Sequence, residues 1–341
     1  MLRTFLKKVL PWLVAVGVFV YLFRQYPPEN IYNSLKYIDI PLFCFISLGY
    51  FLLMFVLDTF SISKILNTFG YAATVKELLP ARGVTYLPMV VNYAAGQAAF
   101  AFYQYRKHGT PISKMLGIFG IIAVTDLYIL ATLAFITTFF TTWPFSVGNM
   151  NIAQFVRIFA IIAYGVFAAL LIVRKAFANT ILFKKIHNNK FLDLIAGTKL
   201  KDYISVGLYR LPVHAFIMGG MYIAVMTFNA HIPLVKILSN IPIVFFIASL
   251  PITPGGLGTG NVAIVELFKP FVTSNAISGG LITAGDLLFS FSLVWTFVNY
   301  LMKVLVGLIC LKFVSKDLFK PTEGKTEEEA EEESIHIGGN I

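Results

Sequence analysis

Three apolar runs, Ile40–Phe60, Met115–Phe140 and Tyr203–Phe228, constrain this chain more than any other feature of it. About 20 apolar residues in helical form cross the ~30 Å hydrocarbon core of a bilayer. Runs of this length therefore read as spans, and the composition agrees: 57% of the 341 residues are hydrophobic and only 13% are charged. A soluble domain carries roughly 25% charged residues. A soluble enzyme, a disulfide scaffold, a disordered protein and a nucleic-acid binder are all excluded. Lys and Arg outnumber Asp and Glu by 27 to 17, and several of the acids (Glu323, Glu327, Glu328, Glu329, Glu331, Glu332, Glu333) sit in the tail. The remaining body is strongly basic, as cytoplasmic loops of membrane proteins are. Cys44 and Cys310 lie in apolar runs and read as small core hydrophobes.

Further runs are Val9–Phe23, Val84–Tyr103, Ile152–Val173, Ile237–Leu250, Asn261–Phe271 and Ile277–Val314. The first reads as a retained span, because no small-residue cleavage site follows it. The basic residues set the topology. With both termini cytoplasmic and Val84–Tyr103 returning to the side it came from, the loop cations outside are Arg24, Lys36, Arg157, Lys236 and Lys269. Arg3, Arg82 and the cluster Arg174, Lys175, Lys184, Lys185, Lys190, Lys199 and Lys201 then lie inside. A full crossing by Val84–Tyr103 would export that cluster, against the positive-inside bias.

Ile237–Phe271 is interrupted by Pro251, Pro254, Gly255, Gly256, Gly258 and Gly260, which a helix cannot continue through. Irregular backbone at membrane depth survives only when buried in protein or facing a wet cavity. This segment reads as a second re-entrant arm pair, opening on the outside. The expected fold is an all-α polytopic membrane protein with about six full spans and two opposed re-entrant segments. Together they form an inverted repeat with halves at about 9–140 and 152–314. Residues 1–314 form a single membrane domain, and 315–341 an acidic, disordered, cytoplasmic tail. Ile122-Ala123-Val124-Thr125-Asp126-Leu127 resembles Ile282-Thr283-Ala284-Gly285-Asp286-Leu287, and each acid follows a glycine–amide pair, Gly96-Gln97 and Gly260-Asn261. Broken helices in inverted repeats are a transporter signature.

Ionisable groups inside spans are costly and become functional candidates. They are Asp126, Arg210, His214, Asp286 and Lys303, with Asp58 and Glu266 nearer the span ends. Arg210 and His214 share a helix face. Two readings stand: a polar midplane site in which Arg210 holds an anionic headgroup, or a buried ion-pair set that joins helices. The turn Gly255–Gly260 precedes a helix near Asn261, whose exposed amides would attract phosphate or carboxylate. It serves equally well as a close-packing element. Gln97 and Asn261 either satisfy broken-helix backbone or touch substrate. The stretch 174–202 mixes basic and apolar residues, as a surface helix on anionic inner-leaflet lipid does. No catalytic constellation, metal set or cofactor motif is visible, because the five histidines are scattered.

Leu250-Pro251-Ile252-Thr253-Pro254-Gly255-Gly256-Leu257-Gly258 resembles a hallmark of the flippase-like family of the lysylphosphatidylglycerol synthase transmembrane region. Asn92-Tyr93-Ala94-Ala95-Gly96-Gln97 resembles that family's weaker motif. The resemblance covers roughly the first span to Leu311. It implies a bacterial or archaeal inner-membrane protein that binds or translocates a lipid. The family usually carries Glu after each glycine motif, where this chain has Gln97 and Asn261, and no aminoacyltransferase domain accompanies the spans here. The expected function is lipid transport without enzymatic activity, on a lipid with an anionic or phosphate-bearing headgroup. The expected site draws on Asn92, Gly96, Gln97, Asp126, Arg210, His214, Pro254, Gly255, Gly256, Gly258, Asn261 and Asp286. A non-transporting partner subunit and a lipid-modifying membrane enzyme are the rivals.

Overall fold

The computed structural model describes residues 2–140, 146–147, 150–176, 197–249, 253 and 256–319. Among them the chain is helical apart from two short antiparallel strand pairs. These join β1 (Ser146–Val147) to β2 (Met150–Asn151), and β3 (Ala230–His231) to β4 (Thr273–Ser274). The helices are α1 (Leu2–Gln25), α2 (Pro28–Leu35), α3 (Ile40–Thr68), α4 (Val75–Val91), α5 (Tyr93–His108) and α6 (Ile112–Thr137). They continue with α7 (Ile152–Ala176), α8 (Leu200–Met226), α9 (Leu234–Ser249), α10 (Thr259–Phe268), α11 (Asn275–Ser278) and α12 (Ala284–Phe319).

Among the described residues, α3, α6, α8 and α12 (over Ala284–Val314) are long and apolar enough to cross a bilayer. Helices α1 and α7, of 24 and 25 residues, reach about 36 and about 38 Å at ~1.5 Å per residue. Their described apolar stretches are Leu10–Gln25 and Ala153–Ala169. Large side chains such as Phe45, Phe297 and Phe313 are exposed, as a surface solvated by lipid tails requires. The fold is that of an all-α, multi-pass membrane protein. Cys44, expected in a core, is exposed on α3, where a thiol tolerates lipid. Helix α12 runs past Val314 to Phe319. The acidic tail, and all of 174–202 except its ends, lie outside the described residues.

The run Val84–Tyr103 is not one segment. It is the inner part of a helical hairpin, α4 and α5, broken at Asn92. At 17 and 16 residues each arm reaches only about 25 Å, short of a ~30 Å core. Thr74 and Glu77 start α4 with a reciprocal capping box, while Gly109 ends α5 in the left-handed conformation at φ 65°. The second hairpin pairs α9 with the shorter α10, of 10 residues.

Two compact units emerge. The first gathers Met1–Met54, Leu127–Tyr164 and His214–Met302, and the second Phe55–Asp126, Gly165–Val213 and Lys303–Ile341. Each therefore collects segments from both expected sequence halves. The first unit is built on Phe228, Phe268, Phe289 and Phe291, all fully buried, and contains the α9–α10 hairpin. The second is built on Ile65, Phe100, Met115, Ile118 and Ile121, and contains the α4–α5 hairpin.

Candidate functional site: a charge network on the α4–α5 hairpin

Inside the second unit, four charged side chains from four helices form one connected network. Asp58 on α3 is shared by two arginines. Its Oδ2 accepts from Arg82 Nε at 2.9 Å and pairs with Arg82 Nη2 at 2.8 Å, while its Oδ1 accepts from Arg210 Nη1 at 2.7 Å. Arg210 on α8 also grips Asp126 on α6 with two parallel bonds, Nε to Oδ1 at 2.8 Å and Nη2 to Oδ2 at 2.9 Å. Such fork-to-fork pairing fixes both planes and both helices. Arg82 Nη1 reaches Gln97 Oε1 on α5 at 3.5 Å, and its guanidinium lies 5.6 Å from the Tyr86 ring centroid. Lys303 on α12, half-buried, lies within electrostatic range of Arg82 and Asp58.

Asp126 is the most open member, with 19% of its side chain exposed against 9% for Asp58, 8% for Arg210 and 5% for Arg82. Removing two guanidiniums from water is expensive, so the carboxylates are what allow them to be there.

Of the residues expected from sequence, Gln97, Asp126 and Arg210 are brought together. Asn92 and Gly96 serve the hairpin that carries Gln97. Asn92 has extended backbone, and its Oδ1 accepts from Ala94 N–H at 2.8 Å, capping α5 at the tip. Gly96 lies so close to α4 that an added Cβ would overlap Met89 and come within 2.9 Å of the Thr85 carbonyl. Arg82 and Asp58 were the central members that sequence reasoning underrated. Arg82, assigned to a cytoplasmic loop, is instead 4% exposed inside α4. The signal was there: Thr74-Val75-Lys76-Glu77 is a capping-box spacing that starts a helix well before Val84.

The other candidates belong to the first unit. Gly256 and Gly258 have φ of 73° and 84°, a region that glycine adopts without strain. A Cβ on Gly256 would sit 2.7 Å from the Ala248 carbonyl, and one on Gly258 would press against Val18. Asn261 Oδ1 accepts from Gly258 N–H at 3.1 Å, and its Nδ2 donates to Ser292 Oγ at 2.9 Å. The asparagine thus satisfies the backbone of the broken helix. Asp286 closes a capping box at the start of α12. Its Oδ2 accepts from Thr283 N–H at 3.1 Å, Thr283 Oγ1 accepts from Asp286 N–H at 3.1 Å, and Asn30 donates to Oδ1 at 3.3 Å. Asp286 and Asp126 therefore differ in kind, one starting a helix and the other lying inside one. His214 is buried on α8, one turn beyond Arg210. Pro254 and Gly255 lie outside the described residues. Among the described residues, no group of three or more His, Cys, Asp or Glu could hold a metal ion.

Multi-pass helical architecture with a shared Arg–Asp network at membrane depth defines a polytopic membrane protein built around buried charge. Residues 8–307 match the family described as the lysylphosphatidylglycerol synthase TM region, and the chain belongs to that family. That makes it an integral membrane protein of a lipid-handling family. No curated protein and no solved structure matches it.

Proposed function

We propose that the protein binds a lipid with an anionic or phosphate-bearing headgroup at the Asp58–Arg82–Arg210–Asp126 network and carries it between leaflets, without chemical modification. The observation that carries this reading is the Asp58 carboxylate shared by two buried guanidiniums, Arg82 and Arg210, with Asp126 as the more open carboxylate on Arg210. Buried charge within spans marks substrate pathways. Guanidinium groups take phosphate with the same two-pronged geometry as carboxylate. A headgroup phosphate arriving at Arg210 would compete with Asp126, the more exposed carboxylate, while Asp58 keeps both arginines in place. Proposed with it are a bacterial or archaeal cytoplasmic membrane, cytoplasmic termini, and a basic 174–202 segment resting on anionic inner-leaflet lipid.

The test is reconstitution into vesicles containing a fluorescent phosphatidylglycerol, with dithionite quenching of the outer leaflet, with and without a pH gradient. Faster inter-leaflet exchange than in protein-free vesicles, lost in Lys303→Gln while the melting temperature holds, supports the reading. Exchange at the protein-free rate under every gradient overturns it.

A further inference from the structure

Asp286 on α12 is 2% exposed, yet among the described residues no lysine or arginine pairs with it or with Glu266 on α10. Apolar surroundings cannot solvate a carboxylate, so a buried one is ordinarily paired or bound to a cation. The capping box at the start of α12 engages only Oδ2, which accepts from both the N–H and the hydroxyl of Thr283. Oδ1 has one long bond, from Asn30 Nδ2 at 3.3 Å. The positive end of α12 offsets about half an elementary charge, which leaves the rest uncompensated. The cations nearest in sequence, Arg24 and Lys269, are exposed.

A buried hydroxyl sits at the same place. Tyr26, directly after α1, is 4% exposed, and its hydroxyl has no hydrogen-bond partner among the described residues. Its ring lies on the bare backbone of Gly285, the residue before Asp286. A Cβ there would overlap the ring at Cε1 and lie 2.8 Å from the hydroxyl oxygen. The ring also packs against Phe289, one turn farther along α12, with centroids 5.7 Å apart. These two contacts hold the hydroxyl over the first turn of α12. Glu266 and Asp286 both lie within electrostatic range of it. Glu266 occupies the last turn of α10, where the carbonyl end of a helix disfavours negative charge, and Tyr26 follows the carbonyl end of α1. All three residues belong to the first unit. A buried carboxylate without a counter-ion, a second acid at the wrong end of its helix and an orphaned hydroxyl therefore meet where α1, α10 and α12 converge.

We infer that the Tyr26 hydroxyl, Asp286 Oδ1 and the Glu266 carboxylate bind a monovalent inorganic cation. The phenol oxygen offers the ion a lone pair, and Asp286 supplies the buried charge that the ion neutralises. Glu266 is exposed, so it admits the ion from solvent and leaves room for water ligands. One buried negative charge calls for one positive charge. Two carboxylates also fall short of the three-residue sets that would hold a metal ion among the described residues. Broken half-helices of transporters present their carbonyl ends to sodium in this way, and α10 is such a half-helix. The site is separate from the Arg–Asp network and stands whatever lipid the protein handles.

The test is the melting temperature of the full-length protein in detergent, in sodium chloride against N-methyl-D-glucamine chloride at equal ionic strength. Sodium should raise it saturably, by about 2–4 °C at roughly tenfold over the dissociation constant. Tyr26→Phe and Glu266→Gln leave the Thr283–Asp286 capping box intact, and each should at least halve that rise. Equal melting in the two salts, or a sodium rise unchanged in either variant, overturns the site. Stabilisation by calcium chloride without any by sodium overturns the monovalent assignment. Tyr26→Phe melting above the unaltered protein in sodium means that the hydroxyl holds nothing, and overturns the inference as well. Glu266 is exposed, so Glu266→Gln keeps the test decisive if Tyr26→Phe fails to fold.

Discussion

Replacing Asp58 by Asn tests the physics of the network most sharply. The change is nearly isosteric and removes one charge that two arginines share. Among the described residues Arg82 loses its carboxylate partner and keeps the Gln97 contact at 3.5 Å, while Arg210 loses one bond and keeps both bonds to Asp126. Breaking a buried pair on one side costs about 3–5 kcal/mol, because an uncompensated charge remains. Asp126→Asn leaves Arg210 bonded to Asp58, and its side chain is 19% exposed against 9% for Asp58. Water can therefore solvate what is lost, and the cost falls to about 1.5–3 kcal/mol, the range for a hydrogen bond to a charged group. Reversible unfolding by a denaturing detergent, followed by tryptophan fluorescence or circular dichroism, measures both. A double-mutant cycle of Asp58→Asn with Arg82→Gln should show favourable coupling of about 1 kcal/mol or more, since the pair is lost together. If Asp126→Asn costs as much as Asp58→Asn, or the cycle shows no coupling, the shared-carboxylate account is wrong.

Neighbouring glycines on α8 give a paired contrast. An added Cβ meets nothing within 4 Å at Gly219 but overlaps the Tyr50 ring at Gly220. Gly219→Ala should therefore stabilise by up to about 1 kcal/mol through helix propensity, and Gly220→Ala should destabilise by about 1–3 kcal/mol through overpacking; thermal melts of the two variants read the opposite signs. Asn261→Ala strips the acceptor from Gly258 N–H and the donor to Ser292, and should cost about 2 kcal/mol from buried groups left unpaired. Asn261→Asp keeps the acceptor, so it should retain more amide protection at Gly258 by hydrogen exchange than Asn261→Ala does. At the start of α4, the hydroxyl and backbone N–H of Thr74 hold the Glu77 carboxyl below its ordinary value of 4.5. Stabilisation of that turn is then full above this value and fades as pH falls through the lower folded-state value. Amide exchange at Glu77 and Leu78, corrected for intrinsic rates, should lose protection only at that acid end, and loss between pH 7 and 5 would contradict it.

The spanning helices were legible because length and hydropathy decide them without reference to partners. Ile40–Phe60 falls inside α3, and Met115–Phe140 follows α6 to its end at Thr137 and runs three residues beyond it. The hairpin was half legible. Its existence followed from charge balance, but an apolar run gives no hint that Asn92 interrupts it, and hydropathy alone hides that Arg82 lies inside α4. Charge reads as loop unless its partner is known, and that partner, Asp58, is 24 residues away on another helix. The Arg210–Asp58 bond spans 152 residues, a separation that no local pattern records. Conversely, the resemblance of the segments around Asp126 and Asp286 hid a difference in role. Thr283-x-x-Asp286 starts a helix, whereas Asp126 lies inside one and meets an arginine from another.

The central claim is that the network selects a lipid by its anionic headgroup. It is tested most directly by native mass spectrometry of the protein released from membranes of equal phosphatidylglycerol, phosphatidylethanolamine and diacylglycerol content. Phosphatidylglycerol retained above its membrane share, and reduced to that share in Lys303→Gln at unchanged melting temperature, is the predicted result. Equal retention of all three lipids, or enrichment indifferent to Lys303→Gln, would contradict the account.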